Sequence, residues 1–165
     1  MAAIVVGVDG SAGSAAALRW AAGEAARTGR EVVAVHAWSY PGGGATAEAV
    51  FTAHRRALGE MVDRAHREQP EAKIRPEVTE GEPAQVLLSA AADAAMLVLG
   101  SHGYGRIMRA LVGSVGAQCL RRAHCPVVIV PAARRGPAPT GRSGLPARPD
   151  GLSACWGEER RCHRS

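Results

Sequence analysis

Residues 100–116, GSHGYGRIMRALVGSVG, have the glycine spacing of a backbone that holds an anion. Glycines permit positive φ and let a ligand approach the chain closely. Successive amides at the positive end of a helix favour an anion by about 0.3–1 kcal/mol. Ser114 adds a hydroxyl where the following helix is expected to be capped. The implied chemistry is that of a phosphate cradle. The two commonest cradles are excluded: GxGxxG is absent, and Lys73, the only lysine, stands in no GxxxxGK[ST].

Other residues could take part. Asp9 follows an apolar run and reads either as a metal or ribose ligand or as a turn residue bonding its own backbone. A receiver-like phosphoacceptor site would need a second carboxylate, and Asp9 is flanked by Val8 and Gly10. His36 reads as a core or crevice-wall histidine rather than a catalyst. His102, between two glycines, is placed to touch phosphate, and Arg106 and Arg109 either reach phosphate oxygens or are simply solvated. Cys119, His124 and Cys125 lack metal-ligand spacing, so the two cysteines read as small buried hydrophobes. Cys155, Cys162 and His163 lack a fourth zinc ligand.

The elements that position these residues alternate between two periods. Apolar runs at 3–8, 31–38, 96–99 and 127–130 have the length and composition of buried strands. A further run at 74–80 carries Pro76, which assigns it to an edge. Between them, 14–28, 47–68, 82–92 and 114–122 read as helices. Ala17, Leu18, Ala21 and Ala25 make the first apolar stripe; Val50, Ala57, Leu58, Met61, Val62 and Ala65 make the second. Ser14 is the expected cap of the first helix and Gly29 its stop. Strict alternation implies an α/β fold: an open five-stranded parallel sheet with helices on both faces. In such sheets the ligand crevice lies at the carboxyl ends of the strands, where strand order reverses.

The 165 residues are 47% apolar, 21% charged and only 4% aromatic, the balance of one globular domain with a core of Ala, Val, Leu and Ile. No apolar run approaches the roughly 18 residues of a membrane span. MAAIVVGVDG lacks the basic start of a signal peptide, and four cysteines are too few for a disulfide scaffold. The expected compartment is the cytoplasm. Residues 1–131 hold 13 Lys+Arg against 12 Asp+Glu (+1), and residues 132–165 hold 7 against 3 (+4). The nearly neutral body argues against nucleic-acid binding, which would usually bring a basic face. Residues 132–165, with 9 Pro and Gly and no apolar periodicity, read as a largely disordered tail.

The spacing Gly100-x2-Gly103-x9-Gly113-Ser114 resembles the ATP-binding signature of the universal stress protein family, GxxGx(9)G[ST]. VGVDGS at 6–11, VVAVHAW at 32–38, GEPAQVLL at 81–88 and CPVVIVP at 125–131 resemble further family segments in the right order, so the likeness covers residues 1–131. It implies a Rossmann-like sheet of strand order 3-2-1-4-5, a homodimer, and ATP between strands 1 and 4. By position, Asp9 would lie near the ribose and phosphates or a Mg²⁺ carried by the nucleotide. Ala37 would offer its backbone to adenine. Gly100 and Gly103 would line the ribose and phosphate path, and Gly113, Ser114 and the Val115 amide would hold the terminal phosphates.

Three functions follow as expectations. The first is an ATP-binding regulatory protein of the stress-response kind, favoured by a complete signature without paired carboxylates, a phosphate-binding lysine or a clear general base. The second is a slow Mg-dependent ATPase using Asp9. The third is a nucleotide-free dimeric interaction module. Dimerisation has a rationale in Val127, Val128, Ile129 and Val130, a closing strand that carries no charge, since exposed strand edges pair unless protected.

Overall fold

The computed structural model describes residues 1–40, 42, 45–101 and 113–132, all within the compact unit Met1–Arg134. The tail, the Gly103 position, His102, Arg106 and Arg109 lie outside the described residues. Among the described residues nine elements alternate: β1 (Ile4–Gly7), α1 (Ala12–Thr28), β2 (Glu31–Trp38), α2 (Ala47–Glu68), β3 (Lys73–Glu80), α3 (Pro83–Ala90), β4 (Met96–Gly100), α4 (Ser114–Arg122) and β5 (Val127–Val130). Every strand pair is parallel, and the order is β3-β2-β1-β4-β5.

Two apolar layers sandwich the sheet. Ile4, Val6, Val32, Ala34 and Val98 face Ala17, Leu18, Ala21 and Ala25 of α1 and Leu58, Val62 and Ala65 of α2. Val5, Val33, Val35, Leu97 and Leu99 face Ala84 and Leu87 of α3 and Cys119 of α4. Period-two alternation of buried residues thus feeds both layers, which is why the central strands read as continuous apolar runs. The small residues of α1 let it lie close to the strands. On α2 the buried stripe is narrower than its pattern suggests: Ala57 is exposed, and Val50 and Met61 are half-buried. The edges differ in kind. β3 carries Lys73, Arg75, Pro76, Glu77 and Glu80, with Arg75 paired to Glu77 at 3.0 Å. β5 carries only half-buried Val and Ile. No helix among the described residues is long and apolar enough to cross a membrane.

The helix caps are shifted from expectation. Helix α1 begins at Ala12, with Ser11 rather than Ser14 at its N-cap; Ser11 Oγ accepts the Ser14 N–H at 3.1 Å. Gly29 ends it in the left-handed region, φ 68°, as expected. Gly113, not Ser114, is the N-cap of α4, and Ser114 is its first residue.

Candidate functional site

Adjacent strands β1 and β4 send the chain to opposite layers: α1 follows β1 on one face, and α4 lies on the other. This is a topological switch point, where an open α/β sheet forms a crevice beyond its strand ends. Of the described candidates, Asp9 follows β1, Ala37 and Gly100 stand at the ends of β2 and β4, and Gly113, Ser114 and Val115 open α4.

The first wall is the β1–α1 turn. Asp9 Oδ1 accepts the Ser11 N–H at 3.0 Å, so the exposed carboxylate fixes its own turn. Gly10 adopts φ 84°, a region that disfavours a side chain. The Ser14 hydroxyl donates to the Ser11 carbonyl at 3.0 Å, completing a stiff entry into α1.

The second wall is the end of β4. A Cβ on Gly100 would fall 2.2 Å from the Gly13 carbonyl carbon, and one on Gly13 would fall 2.4 Å from the Ser101 oxygen. The first turn of α1 therefore rests on the end of β4 with no room for a side chain on either residue. Glycine at position 100 has a packing reason in addition to any contact with a ligand. Ser101, 4% exposed, ties this end to β5: its N–H donates to the Val130 carbonyl at 2.8 Å, and its Oγ accepts the Ala132 N–H at 3.3 Å. Sequence reasoning passed over Ser101. Its only signal was a polar residue directly after an apolar strand.

The third wall is the start of α4. Gly113 and Val115 are half-buried, and Ser114 is exposed. Helix geometry leaves the first amides of α4 without partners inside the helix. Gly113 makes no side-chain cap, and these amides lie at the positive end of the helix dipole. Gly103, the second position of the signature, falls outside the described residues.

The fourth wall is the end of β2. Ala37, the penultimate residue of β2, is half-buried. On the α2 side, His36 Nδ1 lies 2.6 Å from the Val8 carbonyl oxygen, and its Nε2 lies 2.8 Å from His54 Nδ1. Trp38 stacks at an angle on both Phe51 and His54, with ring centroids 5.9 and 5.8 Å apart. His36 is thus a wall histidine with two defined partners, the second of them invisible to periodicity.

No group of three or more His, Cys, Asp and Glu able to hold a metal occurs among the described residues. Asp9 alone suits a hard divalent cation only as one ligand among several, the others coming from phosphate oxygens and water. An exposed carboxylate, a helix start and small residues at 10, 37, 100 and 113 are a donor set into which a nucleotide would fit.

Comparison with known proteins agrees with this geometry. The model of the universal stress protein family matches residues 1–131. A universal stress protein of Mycolicibacterium smegmatis is 34% identical over 131 residues, covering 77% of this chain and 45% of the relative. One from Mycobacterium tuberculosis is 35% identical over 132 residues, covering 76% and 44%. The chain thus spans under half the length of these curated relatives. Among solved structures, a universal stress protein in complex with cAMP superposes with a TM-score of 0.62 at 30% identity, covering 80% of this chain and 98% of that one. The Archaeoglobus fulgidus protein in complex with dAMP gives 0.61 at 30% identity, covering 79% and 98%. With the sheet order, the crevice and the family match in agreement, the chain belongs to the universal stress protein family.

Proposed function

We propose that this chain binds an adenine nucleotide, ATP, in the crevice between β1 and β4 and acts as a nucleotide-responsive regulatory dimer in stress physiology. The observation that carries the reading is the convergence of the Asp9 turn, the Gly100 strand end and the start of α4 at one switch point. The adenine nucleotides held by the two solved relatives support it. In this reading the amides of Ser114 and Val115 hold terminal phosphate oxygens, and the Ser114 hydroxyl donates to them. The Ala37 backbone meets the base. Asp9 takes the ribose or a Mg²⁺ ion carried in by the nucleotide, which would neutralise charge between the carboxylate and the phosphates.

The dimer would form through β5. The charged residues and Pro76 protect the β3 edge against pairing, whereas Val127, Val128, Ile129 and Val130 of β5 carry no charge that would oppose a second copy.

The test is calorimetric titration of ATP with Mg²⁺ into wild type and Gly113→Val, together with chromatography of nucleotide released on denaturation. Binding in the wild type and its loss in Gly113→Val is expected. Equal binding by both, or none by the wild type, overturns the reading. A rise of ADP during incubation that Asp9→Ala abolishes would convert the regulator into a slow ATPase.

A further inference from the structure

The His36–His54 pair has a geometry that packing alone does not require. The Val8 carbonyl can only accept, so His36 presents N–H from Nδ1. In the neutral ring Nε2 is then bare and accepts from His54 Nδ1–H at 2.8 Å. The hydrogen bonds run in one direction, from α2 through β2 to the last residue before Asp9. Because the peptide unit is planar, fixing the Val8 carbonyl also fixes the direction of the Asp9 N–H.

The same contact interrupts the sheet. Val8 N–H donates to the Val35 carbonyl at 2.8 Å, continuing the β1–β2 ladder by one bond beyond the Gly7↔Val35 pair. In a parallel ladder the Val8 carbonyl would next accept the N–H of Ala37, two residues further along β2. No such bond is made: the Val8 carbonyl bonds the imidazole of His36 instead, on one of its two lone pairs. Ala37 faces the same side of β2 as Val35, whereas Trp38 faces the other, its carbonyl accepting from Gly81. The Ala37 N–H is therefore directed over the carboxyl end of β1, outside the ladder.

We propose that His36, oriented by His54, is a positioning residue of the nucleotide site: its imidazole takes the Val8 carbonyl and keeps the Ala37 amide turned toward the crevice for a ring nitrogen of a purine base. This rests on the nucleotide-binding reading and adds to it the device that exposes the base-binding amide. His54 acts only through His36, holding its ring orientation and tautomer from α2.

The test uses the full chain with three variants. His36→Val removes the imidazole and lets the ladder close through Ala37. His36→Asn retains a short side-chain donor for the Val8 carbonyl. His54→Leu leaves the crevice wall in place and removes the orienting donor. In wild type, ¹⁵N spectra of the imidazoles are expected to report N–H at Nδ1 of both rings, and the Ala37 amide is expected to exchange rapidly without nucleotide. In His36→Val the amide becomes protected and the ATP dissociation constant rises at least tenfold, with thermal unfolding still cooperative. His36→Asn stays within about threefold of wild type, and His54→Leu falls between. Unchanged Ala37 exchange with unchanged affinity in His36→Val overturns the proposal, as does a wild-type His36 carrying its proton on Nε2 alone. A wild type that binds no nucleotide overturns the functional reading and the purpose assigned to the amide. Exchange and imidazole shifts would still decide separately whether the relay opens the ladder.

Discussion

Gly13 and Gly100 meet backbone to backbone: a methyl group on Gly100 would lie 2.2 Å from the Gly13 carbonyl carbon. One residue opens α1 and the other ends β4, so the contact sets the separation of two crevice walls. Gly100→Ala is expected to destabilise the fold by about 1–3 kcal/mol through overpacking against backbone that cannot rotate away. Gly23, in the interior of α1, has nothing within 4 Å of an added Cβ. Gly23→Ala should stabilise by about 0.5–1 kcal/mol through helix propensity. Urea midpoints at constant m read both effects. A neutral Gly100→Ala would refute the close packing.

Ser11 holds the entry to α1 through its Oγ, which accepts the Ser14 N–H. Ser11→Ala is expected to cost about 1 kcal/mol. Ser14→Ala should cost less, because its hydroxyl serves no orphan helix amide. Thermal melts of the two variants should therefore rank Ser11 below Ser14, and the reverse order would restore the cap to Ser14.

Burial pushes the Cys119 thiol up, and the Glu82 carboxylate adds to the shift. The thiol is neutral when protonated, so its contribution to stability is complete below the ordinary thiol range. It declines as pH rises from about 8.5 toward the folded value. Cys119→Ala should flatten that alkaline decline. In native protein Cys119 should resist a thiol reagent that labels half-buried Cys125. Mass spectrometry of labelled peptides decides this, and equal labelling of both would contradict the packing of α4.

Ile129→Lys puts a charge in the middle of β5, where Ile129 is half-buried against the layer of Val5, Leu97, Leu99 and Cys119, so cooperative thermal unfolding of the variant is the control. Sedimentation velocity across the micromolar range should move from dimer toward monomer, while ATP affinity per chain stays within a few-fold. An unchanged sedimentation coefficient would exclude β5 as the interface.

Most elements were legible because β1, β2, β4 and β5 are short apolar runs and α1 and α2 carry apolar stripes, whereas β3 is charged along its length. The β2 and β5 boundaries fell on the expected residues, and Pro76 correctly marked an edge. The order β3-β2-β1-β4-β5 came from family resemblance, since periodicity does not say which strands are neighbours. The start of α1 was hidden because Ala12 and Gly13 look like loop, and the need for glycine at 13 comes from Gly100, far away in sequence. The link between His36 and His54 was hidden for a similar reason. It depends on the azimuth at which α2 settles on β2, which composition does not encode.

The jump from β3 to β4 orders events during synthesis. Ribosomes deliver the chain from its N-terminus, so β1, β2 and β3 are available before Met96 exists. Ile4, Val5 and Val6, which end 0, 2 and 0% exposed, must wait for β4 with one backbone edge unsatisfied. The half-built sheet is therefore most adhesive along the strand destined for its centre. A ribosome pausing shortly before Met96 would leave a nascent chain in special need of a chaperone.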